Sequence, residues 1–258
     1  MKKFFLVLFL VLCVLVNTAG AEKKDLIVFA AASMTETMNE IKNLYENENP
    51  DVNVIFNFDS SGTLKTQIQE GAACDLFISA GQKQMNQLEE LKLILNGTRI
   101  NLLENKIALV VPDGYAGNIK SFDDLAKALK NEKILFAMGN SDVPVGQYTQ
   151  KIFAYYGLDE KELAQAGKIT YGSNVKEVTT QVKESSVDCG VVYCTDAYSA
   201  GLKIIDTATP EMCGQVIYPA AVIKESANIN SAEKFLDYLT KSEAMKIFAS
   251  VGFSPAKN

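Results

Sequence analysis

Twice within its first seventy residues this chain runs an apolar segment straight into a serine-bearing turn that opens a helix. The first run is Leu26-Ile27-Val28-Phe29-Ala30-Ala31-Ala32-Ser33, followed by a helical pattern from Met34 to Glu48. The second is Val52 to Phe58, then Asp59-Ser60-Ser61-Gly62-Thr63, then a helical pattern from Leu64 to Glu70. A strand that hands a serine to a helix N-terminus sets a hydroxyl beside unpaired backbone N–H groups, at the positive end of the helix dipole. That is a seat for an anion. A single such serine is ordinarily an N-cap; two so close together point to a shared ligand.

The first residues read as an export signal. Lys2 and Lys3 form a basic start, Phe4 to Val16 an apolar stretch too short for a comfortable membrane span, and Ala19-Gly20-Ala21 a small-residue cleavage site. Cys13 lies inside the apolar stretch, without the small-residue context of a lipoprotein signal. Residues 1–21 are therefore expected to be removed, leaving a soluble periplasmic or extracytoplasmic protein that starts at Glu22. Loss of the two lysines takes the formal net charge from −6 to −8, and nothing in that balance suggests nucleic acid or an acidic membrane surface. Histidine is absent, which removes Ser-His-Asp and Cys-His catalysis and imidazole metal sites together. A serine hydrolase using Ser33 or Ser61 would lack a base, and neither serine sits in a Gly-x-Ser-x-Gly elbow. Cys74, Cys189, Cys194 and Cys213 follow no zinc spacing. Cys189 and Cys194 point to opposite faces of one strand, whereas Cys194 and Cys213 flank the next strand and could meet in a disulfide.

Apolar runs and amphipathic stretches alternate along most of the chain, the pattern of α/β layers. Further strands are expected at Asp75–Ser79, Lys106–Val111, Ile134–Met138, Ile169–Tyr171, Cys189–Cys194, Leu202–Ile205 and Gln215–Ile223. Pro219 inside the last suggests an edge or crossover position. Ser121 opens a helix to Lys130, Pro144 one to Tyr156, and Asn174 one to Glu184. The tail from Ser231 carries Phe235, Leu236, Leu239, Met245 and Phe248 at helical spacing until Gly252. Two turns in the second half share the character of the serine pair. Val143-Pro144-Val145-Gly146 opens a helix with backbone N–H groups as its only donors, and Asn174-Val175 opens another. Gly190-Val191-Val192-Tyr193 ends a strand with a phenol able to donate one more hydrogen bond.

Several runs in order along the chain resemble one family, the ModA-type molybdate-binding proteins. They are Val28-Phe29-Ala30-Ala31-Ala32-Ser33, Ser60-Ser61-Gly62-Thr63-Leu64, Asp75-Leu76-Phe77-Ile78-Ser79-Ala80, Val143-Pro144-Val145-Gly146 and Val192-Tyr193-Cys194-Thr195-Asp196-Ala197. Tyr218-Pro219-Ala220-Ala221-Val222 and Phe248 to Phe253 fit as well. The resemblance implies the substrate receptor of an ABC importer with its permease and ATPase, expected as a monomer. It implies a two-lobed α/β fold of the class II periplasmic-binding-protein type, with two crossover strands between lobes. The first lobe would hold residues 22–104, the second 105–218, and residues 219–258 would return to the first. Ligand oxygens would meet Ser33 and Ser61 from one lobe, and the N–H groups of Val145 and Val175 with the Tyr193 hydroxyl from the other. The residues alone do not separate Ser61 from Ser60; the resemblance selects Ser61. Molybdate or tungstate would be the ligand, its metal reached only through its oxygens, with no cofactor and no direct metal ligand from the protein. Asp59 departs from the family pattern, since an inward carboxylate would repel a dianion, and Gly62 removes a hydroxyl often found there. Lys65, Lys151 and Lys176 follow helix starts and are expected to be solvated or to steer weakly. The same architecture could instead serve sulfate, an amino acid or an organic acid.

Overall fold

The computed structural model describes residues 23–257, so the expected export signal lies outside the described residues. From the N-terminal side come β1 (Lys24–Ala31), a 3-10 turn (Ala32–Met34), α1 (Thr35–Glu48), β2 (Val52–Asp59), α2 (Ser61–Gln69), β3 (Leu76–Ile78), α3 (Gln82–Glu90) and β4 (Ile100–Asn105). The chain then crosses at Lys106 into a second unit. Its elements are β5 (Ile107–Val111), α4 (Phe122–Asn131), β6 (Phe136–Gly139), α5 (Pro144–Tyr155), α6 (Glu160–Gln165), β7 (Ile169–Gly172), α7 (Val175–Lys183), β8 (Cys189–Tyr193), α8 (Cys194–Ala200), β9 (Lys203–Thr207) and α9 (Pro210–Cys213). It closes with β10 (Val216–Val222), α10 (Ile229–Leu239), α11 (Ser242–Ser250) and β11 (Ser254–Pro255).

These elements build two sheets, hence two lobes. The first has six strands in the order β11-β4-β10-β3-β1-β2, the second five in the order β7-β6-β8-β5-β9. Within each, the parallel pairs fix what meets at the strand ends. β1 and β2 pair in register to their last residues, Ala31 opposite Asp59, which carries the Ser33 and Ser61 turns to the same edge. In the second lobe β6 and β7 pair until Gly139 stands opposite Gly172, so the N-termini of α5 and α7 lie side by side. This is the carboxyl edge of a parallel sheet, where α/β folds place ligands. The strands behind those edges are buried on both faces, β5 and β8 along their whole length, as a sheet covered by helices requires. α4 shows how the helices cover them: Phe122, Leu125, Ala126, Ala128 and Leu129 form its buried stripe.

Four expectations need correction. Val216–Tyr218 belong to β10, a strand of the first sheet, so the chain re-enters the first lobe before the expected boundary at residue 219. Pro219 is not at an edge, because β10 pairs with β3 on one side and β4 on the other. The register against β4 shifts between Tyr218 and Pro219, and such a bulge spares the proline the N–H it lacks. The tail is two helices, parted where Lys241 takes an extended backbone with ψ 162°. Finally, Cys74, Cys189, Cys194 and Cys213 are all free thiols. Cys194 starts α8 with its N–H on the Lys106 carbonyl, while Cys213 ends α9, against α5, and donates its thiol to the Gly214 carbonyl at 3.5 Å.

Candidate functional site

The two sheet edges face each other across a cleft with little free space between them. Ser33, Asp59 and Ser61 line it from the first lobe, and Pro144, Val175 and Tyr193 from the second. Ser33 is buried in the 3-10 turn after β1 and caps no helix. Its Oγ lies 2.9 Å from the Tyr218 hydroxyl. Asn105 sets that contact: its Oδ1 accepts the Lys106 N–H at 2.8 Å, and its Nδ2 donates to Tyr218 at 3.2 Å and to Thr195 Oγ1 at 2.9 Å. Either hydroxyl can donate in this contact; when Tyr218 gives its proton to Ser33, the Ser33 proton is free for the cavity.

The two serines of the second turn divide their work. Ser60 is the N-cap of α2, its Oγ accepting the Thr63 N–H at 3.1 Å. Ser61 Oγ instead accepts the Ala80 N–H at 2.9 Å, so its hydroxyl proton remains available. Asp59 lines the cavity, but its Oδ1 accepts the Ser60 N–H at 2.6 Å.

Across the cleft the donors are backbone groups. At α5, Val143 offers no side-chain cap and Pro144 has no N–H. That leaves the Val145 N–H without an acceptor among the described residues. Val145 itself is fully buried one position behind the lining residues Val143 and Pro144. Close packing fixes this turn, because a Cβ on Gly146 would run into the carbonyl oxygens of Gly139 and Asn140. At α7, Asn174 caps the Glu177 N–H at 3.2 Å, and the Val175 N–H at the cavity wall has no acceptor among the described residues. Tyr193 ends β8 and is 1% exposed, with its hydroxyl 3.4 Å from the Ala80 carbonyl. Burial, first of all, holds its pKa well above the ordinary phenol value, so it stays a neutral donor. The cleft thus gathers three hydroxyls and two helix N-termini, all uncharged donors.

The sequence matches the family described as "Bacterial extracellular solute-binding protein" over residues 26–254. The chain belongs to this family. A Bacillus subtilis relative, provisionally named ABC transporter substrate-binding lipoprotein YvgL, is 34% identical over 239 residues, covering 92% of this chain and 89% of that one. The molybdate-binding protein ModA of Haemophilus influenzae is 33% identical over 234 residues, covering 88% and 89%. The solved periplasmic molybdate-binding protein of Azotobacter vinelandii superposes with a TM-score of 0.78 at 21% identity, covering 90% of this chain and 100% of that one; at that identity it speaks for the two-lobed fold.

In this solute-binding protein the lysines do not line the cavity. Lys151 sits over the Tyr148 ring, 5.1 Å from its centroid. Lys176, expected to be solvated or to steer weakly, is half-buried and paired with two carboxylates, Glu36 and Asp196. Asp196 is buried without a hydrogen bond of good geometry. Burial pushes its carboxyl up to about 6, against the pull of Lys176. Asn105 carried no signal in the sequence, and Tyr218 appeared only within a run that resembles the family, with no role attached, since each acts on the cavity only through a residue distant in the chain. Lys176 showed only as a charge after a helix start, and Asp196 only within a run that resembles the family.

Proposed function

We propose that this chain is an extracytoplasmic receptor for molybdate that hands its ligand to the permease of an ABC importer. The observation that carries the reading is the donor set: serine and tyrosine hydroxyls with free α5 and α7 N–H groups, and no cation in the wall. Molybdate is an unprotonated dianion at neutral pH and needs only donors. Hydrogen bonds to a charged group contribute about 1.5–3 kcal/mol each, so a handful of neutral donors suffices. Helix dipoles add to this at α5 and α7, and release requires no buried ion pair to be broken. The ModA relative named above supports the choice of ligand. Tungstate has the same charge and shape and is expected to bind too, through the same oxygens and with no cofactor. The family's role is solute binding, and we assign the chain no catalytic step. The mature protein is expected to act as a monomer, with its export signal removed.

Isothermal titration with molybdate, tungstate, sulfate and phosphate tests the reading. Molybdate and tungstate should bind far more tightly than sulfate. Sulfur–oxygen bonds are shorter, and donors fixed on two rigid lobes cannot all reach the smaller ion at once. Phosphate should be weaker still: its proton would have to go to the Asp59 carboxylate in the wall, whose negative charge repels the rest of the anion. Sulfate binding as tight as molybdate would overturn the assignment.

A further inference from the structure

Lys176 follows Val175 in the first turn of α7, and Glu36 stands in the first turn of α1, three residues after Ser33. The Lys176 Nζ lies 2.8 Å from each carboxylate oxygen of Glu36 and 3.2 Å from Asp196 Oδ1. Glu36 belongs to the first lobe; Lys176 and Asp196 belong to the second. Among the described residues this is the one ion pair that joins the lobes, the others each lying within a single lobe. Asp196 gives the ammonium a fixed anchor in its own lobe, so the reach across the cleft is held in place by packing.

We propose that Glu36 and Lys176 are positioning residues for closure: their ion pair fastens α1 to α7 beside the cleft and lengthens retention of a bound oxyanion without touching its oxygens. This rests on the reading of the cleft as an oxyanion site. A ligand favours the closed form only by its differential affinity for it, and apparent affinity scales with the population competent to hold the ligand. Any contact made only on closure therefore tightens binding. The pair is partly exposed, with side-chain exposures of 31% and 51%, so its effect is that of a well-formed surface pair.

Electrostatics alone predicts the opposite result for one variant. Glu36 is a negative charge near an anion site, so Glu36→Gln should tighten binding if only the field matters. If the pair is a fastening, Glu36→Gln should weaken it. Stopped-flow and calorimetry on the mature protein with molybdate and with tungstate should show dissociation faster by about two- to fivefold in Glu36→Gln and in Lys176→Met. The factor should be the same for both anions and shrink at high salt. Lys176→Arg, which keeps the charge, should behave as wild type. Small-angle scattering without any anion adds a ligand-independent readout: Glu36→Gln should show a larger radius than wild type. Unchanged or tighter binding by Glu36→Gln, or an unchanged radius, would overturn the fastening. Failure of the wild type to bind either oxyanion would instead count against the site reading, and the scattering result would still decide the fastening.

Discussion

At the scale of single residues, the site is a set of hydroxyls held in place by hydrogen bonds to their neighbours. Tyr193 and Ser33 should each contribute as hydrogen bonds to a charge, so Tyr193→Phe and Ser33→Ala should each weaken molybdate by about 1.5–3 kcal/mol, roughly 10- to 150-fold. Tyr218 is different, because its hydroxyl meets Ser33 and Asn105. Tyr218→Phe should cost about 0.5–1.5 kcal/mol by leaving the Ser33 proton unaimed, and it should cost nothing further once Ser33 is alanine. Calorimetry on the two single variants and the double variant measures this; additive losses would show that Tyr218 acts by another route. The serines and Tyr193 could be read from the sequence because a hydroxyl at a strand-to-helix turn has a local signature. The 185-residue separation between Ser33 and Tyr218 has none, and neither does the ion pair of Glu36 with Lys176, since only the fold brings those residues together.

At the scale of elements, α2 and the turn before α5 come so close that Gly62 has no room for a side chain. A Cβ there would meet the backbone carbonyl of Asp142 in the other lobe. The glycine that seemed to cost the site a hydroxyl is what lets the lobes meet. Gly62→Ala should then have two effects of opposite kind. Alanine favours the helix by about 1 kcal/mol over glycine, so thermal stability measured without anion should hold or rise. Binding of molybdate should nevertheless fall by tenfold or more, because the wedge holds the lobes apart. A variant that binds as wild type would show that the cleft closes less far than the structure indicates. Elements with chemical punctuation were legible in the sequence. Ser121 and Asn174 cap α4 and α7 through the Asp124 and Glu177 N–H groups, and Pro144 opens α5. The break between α10 and α11 was not legible, because it carries neither glycine nor proline. There the Thr240 hydroxyl turns back to the Asp237 carbonyl at 2.7 Å. Pro219 misled for a related reason: a proline marks a missing N–H, while the bulge that accommodates it is set by the neighbouring strand.

At the scale of the whole molecule, stability and connectivity follow from how the second lobe is set into the first. Asp196 is buried in that second lobe, faced by Lys176, with Glu36, Tyr193 and Tyr218 near enough to act on it. Its carboxyl is raised from 3.8 to about 6 on folding, chiefly by burial. The folded chain therefore binds this proton more tightly than the unfolded chain. The contribution to stability is full below about pH 4 and is lost as pH rises toward about 6. Denaturant melts between pH 4 and 7 should show Asp196→Asn gaining on wild type as pH rises through that window; parallel curves would remove Asp196 as the cause. The connectivity has a different reach. β10 stands between β3 and β4 in the first sheet, yet it is made after the entire second lobe. Until Val216–Val222 emerges, β4 has no neighbouring strand and β3 has only β1. Contacts so distant in sequence form slowly. A chain threading out of a ribosome or through a membrane pore can therefore complete the second lobe before the first. The first lobe stays open-edged until Val216–Val222 is free, with only the last 36 residues still to follow, so the chain's own topology puts its final collapse late in delivery.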